Sequence, residues 1–360
     1  MKKLYKSNKY KKYNLRHSIK QHESNKRYKK WKSKHPVDKN IIPTIDKVLN
    51  AGYNIVKVPE KFSFLINTKE VLMLKDKIKI LLENRKKTYI NLQQVKVIDN
   101  GAITMLLAIM TEFKRNNVKF NGNFPKDQSS KNLLITSGFF EHLYRDYSSN
   151  IFDEKSDFTY GKNNQIITKP GLKVIPEYAS QICKNVTKTI DKYHHTSKGL
   201  YRMLIELMHN TNNHAGNDQG EEVWWLTVHH NKEKKTVSFI FLDFGVGIFN
   251  SLKNKKEHRA SNIYQKLKDK ILHGSDAQIL KLILEGELHR TSTNQKNRGK
   301  GLHGIYEVSC RKQIKNLYII SNNVYSKVCD NEYNLMGYNF NGTFLYWEID
   351  SESEVIKWKD

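Results

Sequence analysis

The stretch ELMHNTNNHAG, Glu206 to Gly216, decides how this chain is read. It continues LYRML, an ordinary amphipathic helix. The apolar period carries on through Met203, Leu204, Leu207 and Met208, so one side of the helix can bury. Glu206, Asn210 and His214 are spaced by four and lie along a different face. Asn213 sits beside them. Asparagine is a poor helix former, because its side chain competes for backbone hydrogen bonds. A packed helix that carries this polar stripe has to find partners for those groups.

Downstream, VWWLTVHH and KTVSFIFLDFG are joined by the polar NKEKK and read as an antiparallel hairpin. The second strand delivers Asp243 and then Gly245 and Gly247. Glycine lets a ligand approach the backbone with no Cβ in the way. About fifty residues later, NRGKGLHGIYEV places Gly299 and Gly301 at the opening of a helix. Such a turn offers free N–H groups and the positive end of a helix dipole to phosphate. A last strand, NGTFLYWEID, is headed by Gly342 and Thr343. No G-x-x-x-x-G-K-[ST] loop is present.

Taken in order, the E-x-x-x-N helix, D-x-G-x-G after a strand, G-x-G-L opening a helix and G-T on a closing strand resemble the GHKL ATPase superfamily. That group includes gyrase-type ATPases, histidine kinases and anti-sigma-factor serine kinases. The resemblance spans about Ile175 to Ile349. It implies an ATP site with magnesium. The position of Asn210 implies the metal ligand, and that of Glu206 the general base. Asp243 is implied to read the adenine amino group, with Gly245 and Gly247 beside it. Gly299, Gly301 and Leu302 fall in the phosphate lid, and Thr343 falls near the adenine. Asn213, His214, Arg298 and Lys300 are further candidates for the phosphates, the last two equally readable as solvated charges.

Upstream, EVLMLKDKIKILLENRKK reads as a helix and TYINLQQVKVID as a strand with a turn. NGAITMLLAIMTEFKRNN is a second helix, VKFNGNFP a strand, and DQSSKNLLITSGFFEHL a helix broken near Gly138. This alternation implies a small α/β domain with a partly parallel sheet. From Thr88 to Leu143 it resembles the STAS domain of anti-sigma-factor antagonists. In that family a phosphorylatable Ser follows the Asp of the turn. Here the turn reads Asp99-Asn100-Gly101-Ala102, with no hydroxyl, although Asp99 is a good helix cap. The resemblance therefore implies partner docking rather than a phosphorylation switch.

The expected fold class is α/β: a STAS-like domain at 41–147, a polar linker at 148–172, and a GHKL (Bergerat) α/β sandwich with a mixed sheet at 173–352. A basic arm at 1–40 precedes them and a tail at 353–360 follows. Lys and Arg outnumber Asp and Glu by 62 to 36, a formal charge of +26, which favours acidic partners. The arm concentrates Lys and Arg beside Tyr5, Tyr10, Tyr13, Tyr28 and Trp31. It reads either as a nucleic-acid arm or as a solvated tail. Cys183, Cys310 and Cys329 are scattered, with no C-x-x-C pair, which fits a reducing cytoplasm. No apolar run is long enough for a membrane span.

His194 and His195 precede the Glu206 helix directly, so a phosphoacceptor role is not assigned to them. His229 and His230 read as surface residues. Three functions stay open: an ATP-hydrolysing regulatory switch, a serine/threonine kinase of the anti-sigma type, and a nucleic-acid binder with a weak ATPase. A homodimer is compatible with each.

Overall fold

The computed structural model describes residues 48–49, 51–144, 164–170, 176–190, 198–214, 223–253, 258–271, 274–287 and 300–353. For residues 164–170, 209–214, 223, 258–263 and 300 only the backbone is described.

The first part runs β1 (Asn54–Lys57), β2 (Lys61–Phe62), α1 (Thr68–Glu83), β3 (Thr88–Asn91), β4 (Val97–Ile98), α2 (Asn100–Arg115), β5 (Phe120–Gly122), α3 (Gln128–Thr136) and α4 (Phe139–Leu143). Strands β1, β3 and β5 form a parallel sheet in that order, and β2 pairs with β4, also parallel. Asp99 caps α2 as its sequence position suggested, with its Oδ1 accepting from the Ala102 N–H at 2.7 Å. Its Oδ2 accepts from the Ser63 hydroxyl at 2.5 Å. Burial raises the Asp99 pKa, against the hydrogen bonds that lower it. The break between α3 and α4 falls at Gly138, whose φ is 86°.

The second part runs β6 (Asn164–Pro170), α5 (Pro176–Ile190), α6 (Lys198–His214), β7 (Val223–Asn231), β8 (Thr236–Asp243), α7 (Ile248–Lys253), α8 (His258–Lys270), α9 (Asp276–Leu284), α10 (Lys300–Cys310), β9 (Lys315–Lys327) and β10 (Glu332–Asp350). The five strands form one sheet in the order β6-β7-β8-β10-β9. Every pairing in it is antiparallel. The protein is thus mixed α/β, but parallel and antiparallel pairing are segregated. The expectation of a mixed second sheet is corrected, because its strands are joined as the hairpins β7–β8 and β9–β10, which pair back to back. The stretch read as linker contains β6, an edge strand that ends in a proline, as an edge permits.

Strand β8 explains why two cores form. Its run from Val237 to Leu242 is nearly continuous in apolar residues, as expected of a strand buried on both faces. Val237, Phe239 and Phe241 pack beneath the helices with Leu204, Leu207, Ile283 and Ile305. Ile240 and Leu242 face the other way and join the core of the first part. That second core also takes in Trp225, Ile320, Phe340 and Phe344. Phe64 stacks on Phe344 with ring centroids 4.3 Å apart. Burying each of these phenylalanines contributes roughly 1.5–3 kcal/mol. The hydroxyls of Thr104 and Thr227 meet at 2.8 Å, and Tyr325 donates to the Leu65 carbonyl at 3.2 Å. The first part therefore covers the sheet face that the helices leave open.

Candidate functional site

Helix α6 packs as its period dictates. Leu200, Met203, Leu204, Leu207 and Met208 are buried against α5, whose Ile182, Cys183 and Val186 lie in the same core. Glu206 stands half-buried on the flank. The helical backbone continues to His214. Asn210, Asn213 and His214 therefore sit on the helix, while their side chains lie outside the described residues. Helix α10 packs against α6. Gly301 is buried in its first turn, and Leu302 packs on the helix-side core. Arg298, Gly299 and the Lys300 side chain lie outside the described residues.

At the end of the sheet, register brings other candidates together. Asp243 pairs with Trp224 on one side and with Thr343 on the other, and Thr343 pairs in turn with Ser321. Side chains alternate faces along a strand. Phe241, Leu345 and Ile319 belong to the helix-side core, and Trp224 does so itself. Two residues from each, Asp243, Thr343 and Ser321 share that face. The result is a row, Trp224–Asp243–Thr343–Ser321, across four neighbouring strands on the side covered by the helices. Its chemistry is an indole, a carboxylate and two hydroxyls.

The row is bounded by a tight turn. Asp243 Oδ1 accepts from the Gly245 N–H at 2.9 Å, so the turn orients the carboxylate. Gly247 has φ 80°, a conformation glycine adopts without strain. A Cβ there would lie 2.6 Å from the Asn322 carboxamide. Gly342 has φ 146°, and a Cβ on it would lie 2.3 Å from the Asp243 carbonyl oxygen. The G-T motif thus places its glycine where the two backbones nearly touch.

Several contributors escaped the sequence reading. Ser321 and Asn322 interrupt the apolar strand YIISNNVY, and that interruption was the available signal. Both are buried, and both bond to the Gly247 turn or to α7. Lys75 of α1 is also buried, with Nζ 5.7 Å from the Phe244 ring centroid and 5.4 Å from that of Phe340. It pairs with Asp76 at 2.9 Å, and Tyr338 donates to Asp76 at 2.5 Å.

The histidines at the far end of β7 are corrected. His230 is buried rather than on the surface, with Nδ1 2.7 Å from the Thr189 hydroxyl. Helix α5 lies over that end of the sheet and shields it. Burial pushes its pKa down to about 4, helped by His229 and Lys232. His229 is half-buried, and burial lowers its pKa too. His194 and His195 lie outside the described residues.

Among the described residues, no group of three or more His, Cys, Asp or Glu side chains is arranged to hold a metal ion. A metal caged by such side chains alone has no site there. Magnesium held by one neutral amide oxygen, waters and phosphates needs no such cage. No helix among the described residues is long and apolar enough to cross a membrane. Comparison with known proteins found no matching family model and no matching curated relative.

Proposed function

We propose that the second part of the chain binds ATP with magnesium at the helix-covered end of its antiparallel sheet, and hydrolyses it to set a protein contact. The row Trp224–Asp243–Thr343–Ser321 carries this reading. It joins two of the four GHKL-like motifs as neighbours on the sheet. The packing of α10 on α6 joins the other two on the helices. The Asp243 carboxylate is suited to accept from the 6-amino group of adenine, where guanine carries a carbonyl oxygen instead. Gly245 lets the base lie close to the backbone, and Gly247 makes room for the Asn322 carboxamide. Thr343 borders the same spot.

Asn210, on α6, is the residue assigned to magnesium, which if bound would neutralise phosphate charge. Asn213, His214, Arg298 and Lys300 are assigned to the phosphates and their surroundings. Gly299, Gly301 and Leu302 form the lid at the start of α10. Glu206 accepts a proton from the attacking water, which leaves ADP and phosphate as products.

A contact between the site and the first part of the chain supports the switch. Phe244 follows Asp243 directly, yet its ring packs on the other core, edge-on to Phe340 at 6.4 Å and under Lys75 of α1. A shift of the turn would move a side chain that packs in the first part's core. The kinase alternative gains no such support within the chain. The turn at Asp99–Ala102 has no hydroxyl, and a Cβ on Gly101 would lie 2.9 Å from the Phe344 ring. A kinase of this form requires a separate protein substrate. A radiolabelled-ATP assay distinguishes them: released phosphate without labelled protein supports the switch, and labelled Ser or Thr on a partner supports the kinase.

A further inference from the structure

We infer that Ser321 and Asn322 are positioning residues for nucleotide recognition, holding the Asp243–Gly247 turn from β9, on the far side of β10; this rests on the reading of that turn as the adenine site. The Asn322 carboxamide donates through Nδ2 to the Val246 carbonyl at 2.9 Å. Its Oδ1 accepts from the N–H groups of Phe249 at 3.0 Å and Asn250 at 3.4 Å. Ser321 Oγ accepts from the Ile248 N–H at 2.9 Å and donates to the Gly342 carbonyl at 2.8 Å.

These contacts solve a problem that the glycine turn creates. The first N–H groups of a helix lack partners within the helix, and a Ser, Thr, Asp or Asn at the cap ordinarily supplies one. Here Gly247 precedes α7 and has no side chain to give. Ser321 and Asn322 reach across from β9 and accept from all three of the first N–H groups of α7. The cap is supplied from another strand, so the turn itself stays free of side chains where a base would lie. The Gly247 Cβ clash with the same carboxamide shows that glycine and asparagine are matched. Val246 is held on one side of Gly247 and Ile248 on the other. Asp243 Oδ1 is oriented by Gly245 within the same turn. Fixing the turn therefore fixes the carboxylate.

Asn322 has φ 49°, so Asn322→Ala would add backbone strain to the loss of the carboxamide. Asn322→Gly removes the carboxamide and tolerates the backbone. The test uses the full chain with Asn322→Gly and Ser321→Ala, read by three measurements. Amide hydrogen exchange without nucleotide should quicken at Ile248, Phe249 and Asn250. ATP affinity should fall about tenfold, the equivalent of one lost buried hydrogen bond. The preference for ATP over GTP should narrow in both variants. A merely structural pair would lower Tm and leave the ATP-to-GTP ratio as in the parent, and that result overturns the inference. If the parent binds no adenine nucleotide, the ATP reading fails instead. Unchanged amide exchange in both variants then overturns the hold on the turn by itself.

Discussion

Asp243 and Glu206 carry different burdens in the proposed site, and substitution separates them. Asp243→Asn keeps the shape but exchanges part of an acceptor for a donor. ATP binding should weaken by about 1.5–3 kcal/mol, the range for a hydrogen bond to a charged group, with a looser preference against GTP in competition titrations. Glu206→Ala should leave ATP binding intact and cut phosphate release by about a hundredfold or more, because a general base acts in the transition state. Turnover equal to the parent's would make Glu206 only a helix residue. His230 offers a test that does not depend on nucleotide. Its folded pKa, about 4, lies below the ordinary histidine value, so the unfolded chain binds the extra proton first. Its contribution to stability is full above pH ~6.5 and is lost as pH falls towards ~4, with a slope of at most ~1.4 kcal/mol per pH unit. Thermal melts of His230→Gln should show a shallower decline across that window. That Asp243 ends a strand and Glu206 lies on a helix was legible at this scale because both follow from local pattern. His230 was not, since its burial comes from α5, a distant segment lying over the strand.

At the scale of elements, α2 shows what holds the two parts together. Its first turn presses Gly101 against Phe344 and Phe64, with a Cβ at that position 2.9 Å from one ring and 3.1 Å from the other residue's Cβ. Gly101→Val should destabilise the fold by about 1–3 kcal/mol through overpacking. The helix-propensity gain over glycine is under about 1 kcal/mol and does not offset it. Chemical denaturation of the variant checks the value. The same helix was readable in sequence, since its apolar face, its Asp99 cap and its Asn116 stop are all local signals. Strand β8 was equally plain from its apolar run. Strand β10 was read only from Asn341 onward, yet it begins at Glu332. Its first half is broken by exposed Leu335 and by Gly337, so the short alternation of Met336, Tyr338 and Phe340 was not read as part of the strand. Strand β6 was hidden in a polar stretch because an edge strand needs only its neighbour's backbone.

Across the whole molecule, one antiparallel sheet serves two cores. Its helix side carries the proposed nucleotide site, and its other side carries the first part of the chain. The sequence pointed to α/β structure, but not to the first part packing on the five-stranded sheet, because the contacts joining Phe64 to Phe344 and Asp76 to Tyr338 are between residues remote in the chain. A chain shortened to begin at residue 161 should expose Trp225, Ile240, Leu242, Ile320, Phe340 and Phe344. It should bind a hydrophobic dye and self-associate; a soluble, dye-negative monomer would mean that the docking is dispensable. Removing residues before Ile41 should leave ATP binding unchanged. If the basic arm engages nucleic acid, that affinity should fall and its salt dependence should flatten.

The most direct test of the account is calorimetric titration of the full chain with ATP, with and without magnesium, beside GTP and beside Asp243→Asn. The account predicts saturable ATP binding that magnesium strengthens, a clear preference over GTP, and loss of that preference in the variant. An absence of adenine-nucleotide binding by the parent, or equal binding of ATP and GTP that Asp243→Asn leaves untouched, would contradict it.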